Sequence, residues 1–301
     1  MNKTGIPIPG ERLQIERLPA YTGVRSLPAG PGVYRCYGEQ GALLYVGKSI
    51  NIRERVQSHY AARFSDPREG RLAMQTYHID HTETAGELGA LLLENHEIKT
   101  RRPLYNQRQR RSRQLWTLRL STAADGFLQP QIIMLEGGRI RETTYWACRN
   151  RRQAQLQLRA ISKAQGLCPK RLGLERGGGR CFGAQLGHCR GACIDRESAA
   201  AHNERLLSAL AEYQLLVWPY DGPVAVVEIS NDDPAHTDWH LLWQWGYLGT
   251  VRTKSELGQL WAQKQSHRFD LDTYHLLLKF LHAGDTAIQN HYDVVEVDPI
   301  N

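Results

Sequence analysis

The sequence predicts an α+β fold, on three observations. Two short runs rich in β-branched and aromatic residues, PGVYRCY and ALLYVGK, are separated by GEQG and read as an antiparallel hairpin. Amphipathic helical stretches then alternate with further strands along the chain. The 301 residues, 41% hydrophobic, can bury a sizeable core but exceed one compact unit, so two or three are expected. The boundaries read from the pattern are an N-terminal extension over 1–27, a first globular domain over 28–113, a connecting region with clustered cysteines over 114–200, and a small C-terminal α+β domain over 201–301.

Residues 1–27 read as irregular, because Pro7, Pro9 and Pro19 break any helix. After the hairpin, SINIRERVQSHYAARF places Ile52, Val56 and Tyr60 at i, i+4 and i+8, one face of a helix. Lys48, Arg55 and His59 follow at i, i+7 and i+11, a spacing that would project three basic groups to one side of that helix. A second helix is expected over TAGELGALLLENHEIKTRRP, opened by a Thr84/Glu87 capping box and stopped by Pro103. Glu94 follows three leucines in that helix, and a carboxylate so placed needs a partner, either a basic side chain or a metal. Residues 114–147 alternate in a strand-like way, 150–165 and 201–217 read as helices, and VAVVEIS, DWHLLWQWGYLGTVRT, LDTYHLLLKFLHAG and HYDVVEVD complete a strand, strands, helix, strand order. Alternation assigns Trp239, Trp243 and Trp245 to core packing in preference to base stacking or partner binding.

The formal charge is +7, and it is concentrated in RRPLYNQRQRRSR. Its arginines, Arg101, Arg102, Arg108, Arg110, Arg111 and Arg113, come with no acid, a density suited to replacing phosphate counterions; a solvated basic loop is the plainer alternative. No apolar run approaches the roughly 18 residues of a membrane span, and MNKTGIPIPGERLQ lacks the apolar region of a secretory signal, so no membrane association and a cytoplasmic location are expected. Of six cysteines, Cys36 and Cys148 stand alone, while Cys168, Cys181, Cys189 and Cys193 cluster. Disulfides are disfavoured in the cytosol, so the cluster reads as a metal site, either tetrahedral zinc or iron–sulfur; missing C-x2-C knuckles tilt the choice toward iron–sulfur. Four buried free thiols are the alternative, and His188 is a possible substitute ligand.

Several of these residues also carry a family resemblance. Gly32-Val33-Tyr34, Tyr45-Val46-Gly47-Lys48, Arg55, His59, the A-L-L-L-E ending in Glu94, and Pro103-Leu104-Tyr105-Asn106 resemble the GIY-YIG nucleases, and within them the UvrC family including its short members. The cysteine segment, with YWACRNRRQAQLQLRAISKAQGLC before it, resembles the same family, so the likeness spans about residues 25–200. Together these motifs are specific, whereas G-V-Y or Y-V-G alone would be weak. The sequence departs from UvrC at His59, where UvrC commonly has Tyr, and carries nothing after residue 201 that resembles its second nuclease or its helix-hairpin-helix pair.

The resemblance implies a three-stranded antiparallel sheet flanked by helices. It also implies hydrolysis of one DNA phosphodiester with a single Mg²⁺ or Mn²⁺ ion held by Glu94. Tyr34 would be the general base, with Lys48 and Arg55 lowering its pKa; Arg55 would also stabilise the charge developing on the phosphate. Tyr45 would orient the water or Tyr34, and His59 would hydrogen-bond a tyrosine or the phosphate. Which tyrosine takes the proton stays open. Arg53, Asn106, Arg108, Arg110, Arg111 and Arg113 would face DNA, Asn106 more naturally by fixing a loop. The four cysteines would hold an iron–sulfur cluster of the 4Fe-4S type, with Zn²⁺ as the alternative. The implied setting is a monomer acting on damaged double-stranded DNA with UvrB, after UvrA, and cutting once on the 3′ side of a lesion. An autonomous structure-specific or mobile-element nuclease and a non-catalytic DNA-binding module are the competing readings.

Overall fold

The structure is a computed structural model and describes residues 21–62, 64–107, 115–135, 140–263, 269–281 and 292–297. The chain forms two compact units, one of residues 1–112 together with 220–301, the other of residues 113–219.

In the first unit, β1 (Gly32–Tyr37) and β2 (Leu43–Ser49) form the expected hairpin, with Tyr34 opposite Gly47 and Cys36 opposite Tyr45. The third strand, β3 (His78–Glu83), pairs antiparallel with the other edge of β1, giving the order β2-β1-β3. Strand β1 is therefore central, and its side chains alternate between two covered faces. Tyr34 and Cys36 join a core with Val24, Ile52 and Val56, while Val33 packs with Val46 and Ile98 on the opposite side. Helix α1 (Ile52–Ala62) buries Ile52, Val56 and Tyr60 as its period requires. It starts only at Ile52, so Lys48 belongs to β2 and not to a helix face shared with Arg55 and His59; the expectation of one three-membered basic face is corrected to a pair one turn apart. A short helix, α2 (Pro67–Gln75), follows, opened by Asp66, whose carboxylate accepts from the Arg68 amide, and by Pro67 in the first turn.

Helix α3 (Glu87–Arg101) covers the second face of the sheet. The Thr84/Glu87 capping box does not form: the N-cap is Gly86, and the Thr84 hydroxyl donates to the Gly86 carbonyl. The first-turn amides of Leu88 and Gly89 donate instead to the carboxylate of Glu228, 2.9 and 2.8 Å away. At the other end of the sequence segment, the irregular extension is shorter than expected. Residues Tyr21–Ser26 form a 3₁₀ turn, and Val24 and Leu27 are buried in the same core cluster as Tyr34, Ile52 and Val56. Residues 1–20 lie outside the described residues.

The same unit contains a second antiparallel sheet of order β10-β7-β8-β9, built from β7 (Val224–Ile229), β8 (Thr237–Trp243), β9 (Gly246–Val251) and β10 (Asp293–Glu296). Helices α7 (Leu257–Ala262) and α8 (Leu271–Leu281) lie against it. The tryptophans are core residues: Trp239 packs with Ala225 and Leu241, Trp243 meets Trp261 edge-on, and Trp245 sits buried in the β8–β9 turn against Tyr274.

The second unit holds a sheet of order β5-β4-β6, formed by β4 (Trp116–Thr122), β5 (Leu128–Met134) and β6 (Thr144–Cys148). Helix α4 (Arg151–Ala164) is capped by Asn150 and buries Ala154 and Leu158. The cysteine segment follows with one short turn, α5 (Phe182–Gln185), and α6 (Ala199–Leu210) returns Leu206 and Leu210 to the core of this unit.

Candidate active site

The site grows from the register of the hairpin. Tyr34 on β1 and Tyr45 on β2 point to the same face, with ring centroids 6.0 Å apart, and His59 of α1 sits over both, 5.8 Å from Tyr34 and 5.5 Å from Tyr45. The Tyr34 hydroxyl lies 2.5 Å from His59 Nε2. Gly47, opposite Tyr34, makes this possible: a Cβ there would lie 2.5 Å from the Tyr34 hydroxyl and 2.7 Å from the Tyr45 ring. Beyond the imidazole stands a residue the sequence reading missed, Glu69 of α2, whose carboxylate is 2.5 Å from His59 Nδ1. The three groups form a line, Tyr34, His59, Glu69.

His59 holds the Glu69 carboxyl below the usual carboxylate range, so Glu69 is ionised and only accepts hydrogen bonds. His59 Nδ1 therefore donates in that contact, and the tautomer with its hydrogen on Nδ1 alone would set the Nε2 lone pair toward the Tyr34 hydroxyl as its acceptor. Tyr34 itself is 1% exposed, and burial pushes its pKa well above the ordinary value, with Tyr45 and Cys36 acting in the same direction and Arg55 only partly opposing them. The expected depression by Lys48 and Arg55 is thus overturned: desolvation wins. Lys48 is engaged elsewhere, its Nζ pairing with Glu87 at 2.7 Å. Tyr45 is raised too, first by burial and then by the nearby Glu94 charge, with Arg55 pulling the other way.

Glu94 of α3 reaches the same region from the opposite side of β2. Its Oε1 accepts from the Lys48 amide at 3.1 Å, and burial raises its pKa against the opposing pull of that hydrogen bond and of the Lys48 and Arg55 charges. Among the described residues no cationic side chain pairs with Glu94 within 4.0 Å. A half-buried carboxylate held by one backbone N–H, with no salt bridge, suits a hard divalent cation that completes its shell with water and phosphate oxygen. Arg55 is exposed on α1, available to a phosphate.

The remaining candidates divide. Arg53 donates from Nε to the Leu27 carbonyl at 2.7 Å and so ties α1 to the preceding turn. Asn106, placed among the candidate DNA contacts, is 4% exposed; its amide clasps the carbonyl and the N–H of Val46, which fixes the loop after α3 onto β2. Arg108, Arg110, Arg111 and Arg113 lie outside the described residues. In the second unit the four clustered cysteines converge as free thiols. The Sγ atoms of Cys168 and Cys181 are 3.9 Å apart and those of Cys181 and Cys189 3.7 Å, and Cys193 Sγ belongs with Cys168 and Cys181 in a group within 4.8 Å. These two distances are near the edge of a tetrahedron with metal–sulfur bonds of roughly 2.3 Å, while Cys189 approaches Cys181 but lies outside the three-thiol group. His188 is exposed and outside this group.

Comparison with known proteins matches three successive family models: the UvrC-like GIY-YIG domain over residues 30–107, the UvrC/Cho excinuclease middle domain over 115–212, and the excinuclease Cho C-terminal domain over 223–299. Excinuclease Cho of Escherichia coli O6:H1 is 37% identical over 281 residues, covering 92% of this chain and 89% of the relative. That of Salmonella typhi is 36% identical, covering 90% and 87%. The UvrABC system protein C of Neisseria meningitidis is 42% identical over 83 residues, 28% of this chain and 14% of its own. A crystal structure of the GIY-YIG N-terminal endonuclease domain of UvrC from Thermotoga maritima, bound to magnesium, is 26% identical, covers 28% of this chain and 96% of its own, and gives a TM-score of 0.26. With such identity held along nearly the whole sequence, and with Tyr34, Tyr45, Lys48, Arg55 and Glu94 all inside the matched nuclease segment, the chain belongs to the UvrC/Cho family of GIY-YIG excinucleases and is a DNA endonuclease.

Proposed function

We propose that this endonuclease makes one incision in damaged duplex DNA, on the 3′ side of the lesion, after UvrA and UvrB have located the damage. The observation that carries the chemistry is that the Tyr34–His59–Glu69 line on one face of the hairpin and the Glu94 carboxylate, which reaches β2 from α3 and has no salt bridge, both stand at β2. Glu94 is the protein ligand for one Mg²⁺ or Mn²⁺ ion, which when bound neutralises charge on the scissile phosphate and activates water. Tyr34 takes the proton of the attacking water as its own hydroxyl proton passes to His59 Nε2, so no free phenolate forms at a position where burial disfavours one. Glu69 stabilises the imidazolium that results. Tyr45 orients the water, and the exposed Arg55 forks onto the phosphate as charge develops. The arginines of the segment after α3 follow the backbone of the duplex. The four cysteines hold a structural metal centre, iron–sulfur or zinc, and the protein acts as a monomer.

The test is incision of a lesion-bearing duplex labelled at either end, with and without UvrA and UvrB, beside Glu94→Ala. Cutting that requires both partners, falls only 3′ to the lesion and disappears in the variant supports the proposal. Equal cutting without the partners replaces it with an autonomous nuclease. Iron with acid-labile sulfide in anaerobically purified protein identifies the cysteine centre as a cluster; zinc by metal analysis with neither identifies a single ion.

A further inference from the structure

The residues beyond Tyr220 belong to the same compact unit as the nuclease sheet, and their polar contacts include both ends of α3 and the segment just before it. Glu228 of β7 is 4% exposed and spends both carboxylate oxygens at the helix start: Oε1 accepts from the Leu88 amide and Oε2 from the Gly89 amide. His240 of β8, fully buried, donates from Nε2 to the same Oε2 at 3.1 Å while its Nδ1 meets the Thr250 hydroxyl at 2.8 Å. Asp238 accepts from the Ala85 amide at 2.7 Å and pairs with Arg252, which donates in turn to the Glu83 carbonyl. Two glycines admit the carboxylate. A Cβ on Gly86 would lie 2.3 Å from Glu228 Oε1, and one on Gly89 would lie 2.9 Å from the His240 ring and 3.0 Å from Glu228 Oε2.

A second grip lies two turns further along α3. The Asn95 amide donates to Asp270 and to the Thr273 hydroxyl, both at 2.8 Å, and the Lys99 ammonium pairs with Asp270 and with Asp272. Glu94 projects toward Lys48 between the two grips. Glu228, Asp238 and His240 do form a compact buried set of metal-ligand types, but the Glu228 oxygens and Asp238 Oδ2 already accept from backbone amides, which leaves a cation little to bind. The set is built to hold a helix.

We infer that Glu228, supported by His240, is a positioning residue for the nuclease: the C-terminal sheet caps α3 and fixes the height at which Glu94 meets β2. This rests on the reading of Glu94 as the metal ligand, and its test separates the two. Full-length Glu228→Gln and Gly89→Ala proteins are compared with wild type and Glu94→Ala for amide exchange at Leu88, Gly89 and Lys48, for Mn²⁺ affinity by paramagnetic resonance, and for thermal unfolding. Gln keeps the shape but offers one acceptor oxygen, and the Ala wedge displaces the carboxylate with its charge intact. The expected result is faster exchange at all three amides and Mn²⁺ affinity lowered about tenfold, as for other residues that orient a metal ligand, in protein that remains folded. Folded variants in which the Lys48 amide, the donor to Glu94, exchanges as in wild type would overturn the inference, even if their unfolding temperature drops. If Glu94→Ala keeps full Mn²⁺ affinity, the ligand assignment fails, and exchange at Lys48 alone still decides whether Glu228 sets the position of Glu94.

Discussion

In the proposed mechanism Tyr34 would pass its proton on, because burial makes its own anion costly, and Glu69, in contact with His59 Nδ1, would fit His59 to accept it. Glu69→Gln offers His59 a neutral amide that no longer dictates which ring nitrogen holds the hydrogen. The turnover rate should fall on the order of tenfold to a hundredfold with little change in DNA affinity, short of the roughly 10²–10⁴ that proton transfer as a whole supplies. The ¹⁵N shifts of His59 should report the loss of its single tautomer. The acid dependence of stability follows from the same contact. The folded-state pKa of Glu69 is depressed, so its contribution is complete above the ordinary glutamate value and is lost as pH falls through and below it. The unfolding temperatures of wild type and Glu69→Gln should therefore differ by a constant amount above about pH 5, where a model glutamate near 4.3 is largely ionised, and converge in more acid buffer. Gly47→Ala should lose incision and cost about 1–3 kcal/mol of stability by overpacking, because its methyl group would meet the Tyr34 hydroxyl; denaturant unfolding and the incision assay check both.

Strand β1 shows which elements the sequence reveals and which it hides. Its run of buried residues and its turn residues mark a covered hairpin strand without help from the rest of the chain, and the i, i+4, i+8 pattern does the same for α1. Strand β3 carries no such mark, since HIDHTE is polar and sits at the sheet edge, where side chains face water. Helix α2 left a short signal, Asp66-Pro67 at its start, but its catalytic interest arises only when it packs beside α1 and brings Glu69 to His59. Tyr34, Tyr45, Lys48, Arg55, His59 and Glu94 became a candidate set through the family resemblance their motifs carry, whereas Glu228 meets α3 across 140 positions in sequence and has no local signature. Arg35 is a further case, a buried cation in an apolar strand that is explained only by Glu97 of α3, Asp80 and Thr82 around it. Glu97→Ala leaves that guanidinium with Asp80 as its carboxylate partner, and denaturant unfolding should show a loss below the roughly 3–5 kcal/mol of a buried charge left with no partner.

At the scale of the molecule, the nuclease sheet and the C-terminal sheet belong to one compact unit, and the β5-β4-β6 sheet with the clustered cysteines to the other, each with its own buried clusters. Calorimetry should resolve two transitions. Stripping the cysteine centre with a chelator should lower the one belonging to residues 113–219, whose thiols would lose the charge compensation of a bound ion, and leave the other in place. The central claim concerns the first unit, that Glu94 and the tyrosine–histidine line cut DNA as one metal-dependent site. It is tested most directly by single-turnover incision of an end-labelled, lesion-bearing duplex in Mg²⁺ with UvrA and UvrB present, comparing wild type, Glu94→Ala and Tyr34→Phe. Wild type should make one 3′ incision and neither variant any above background, while both variants still bind the duplex. Incision by Glu94→Ala at the wild-type rate would contradict the claim.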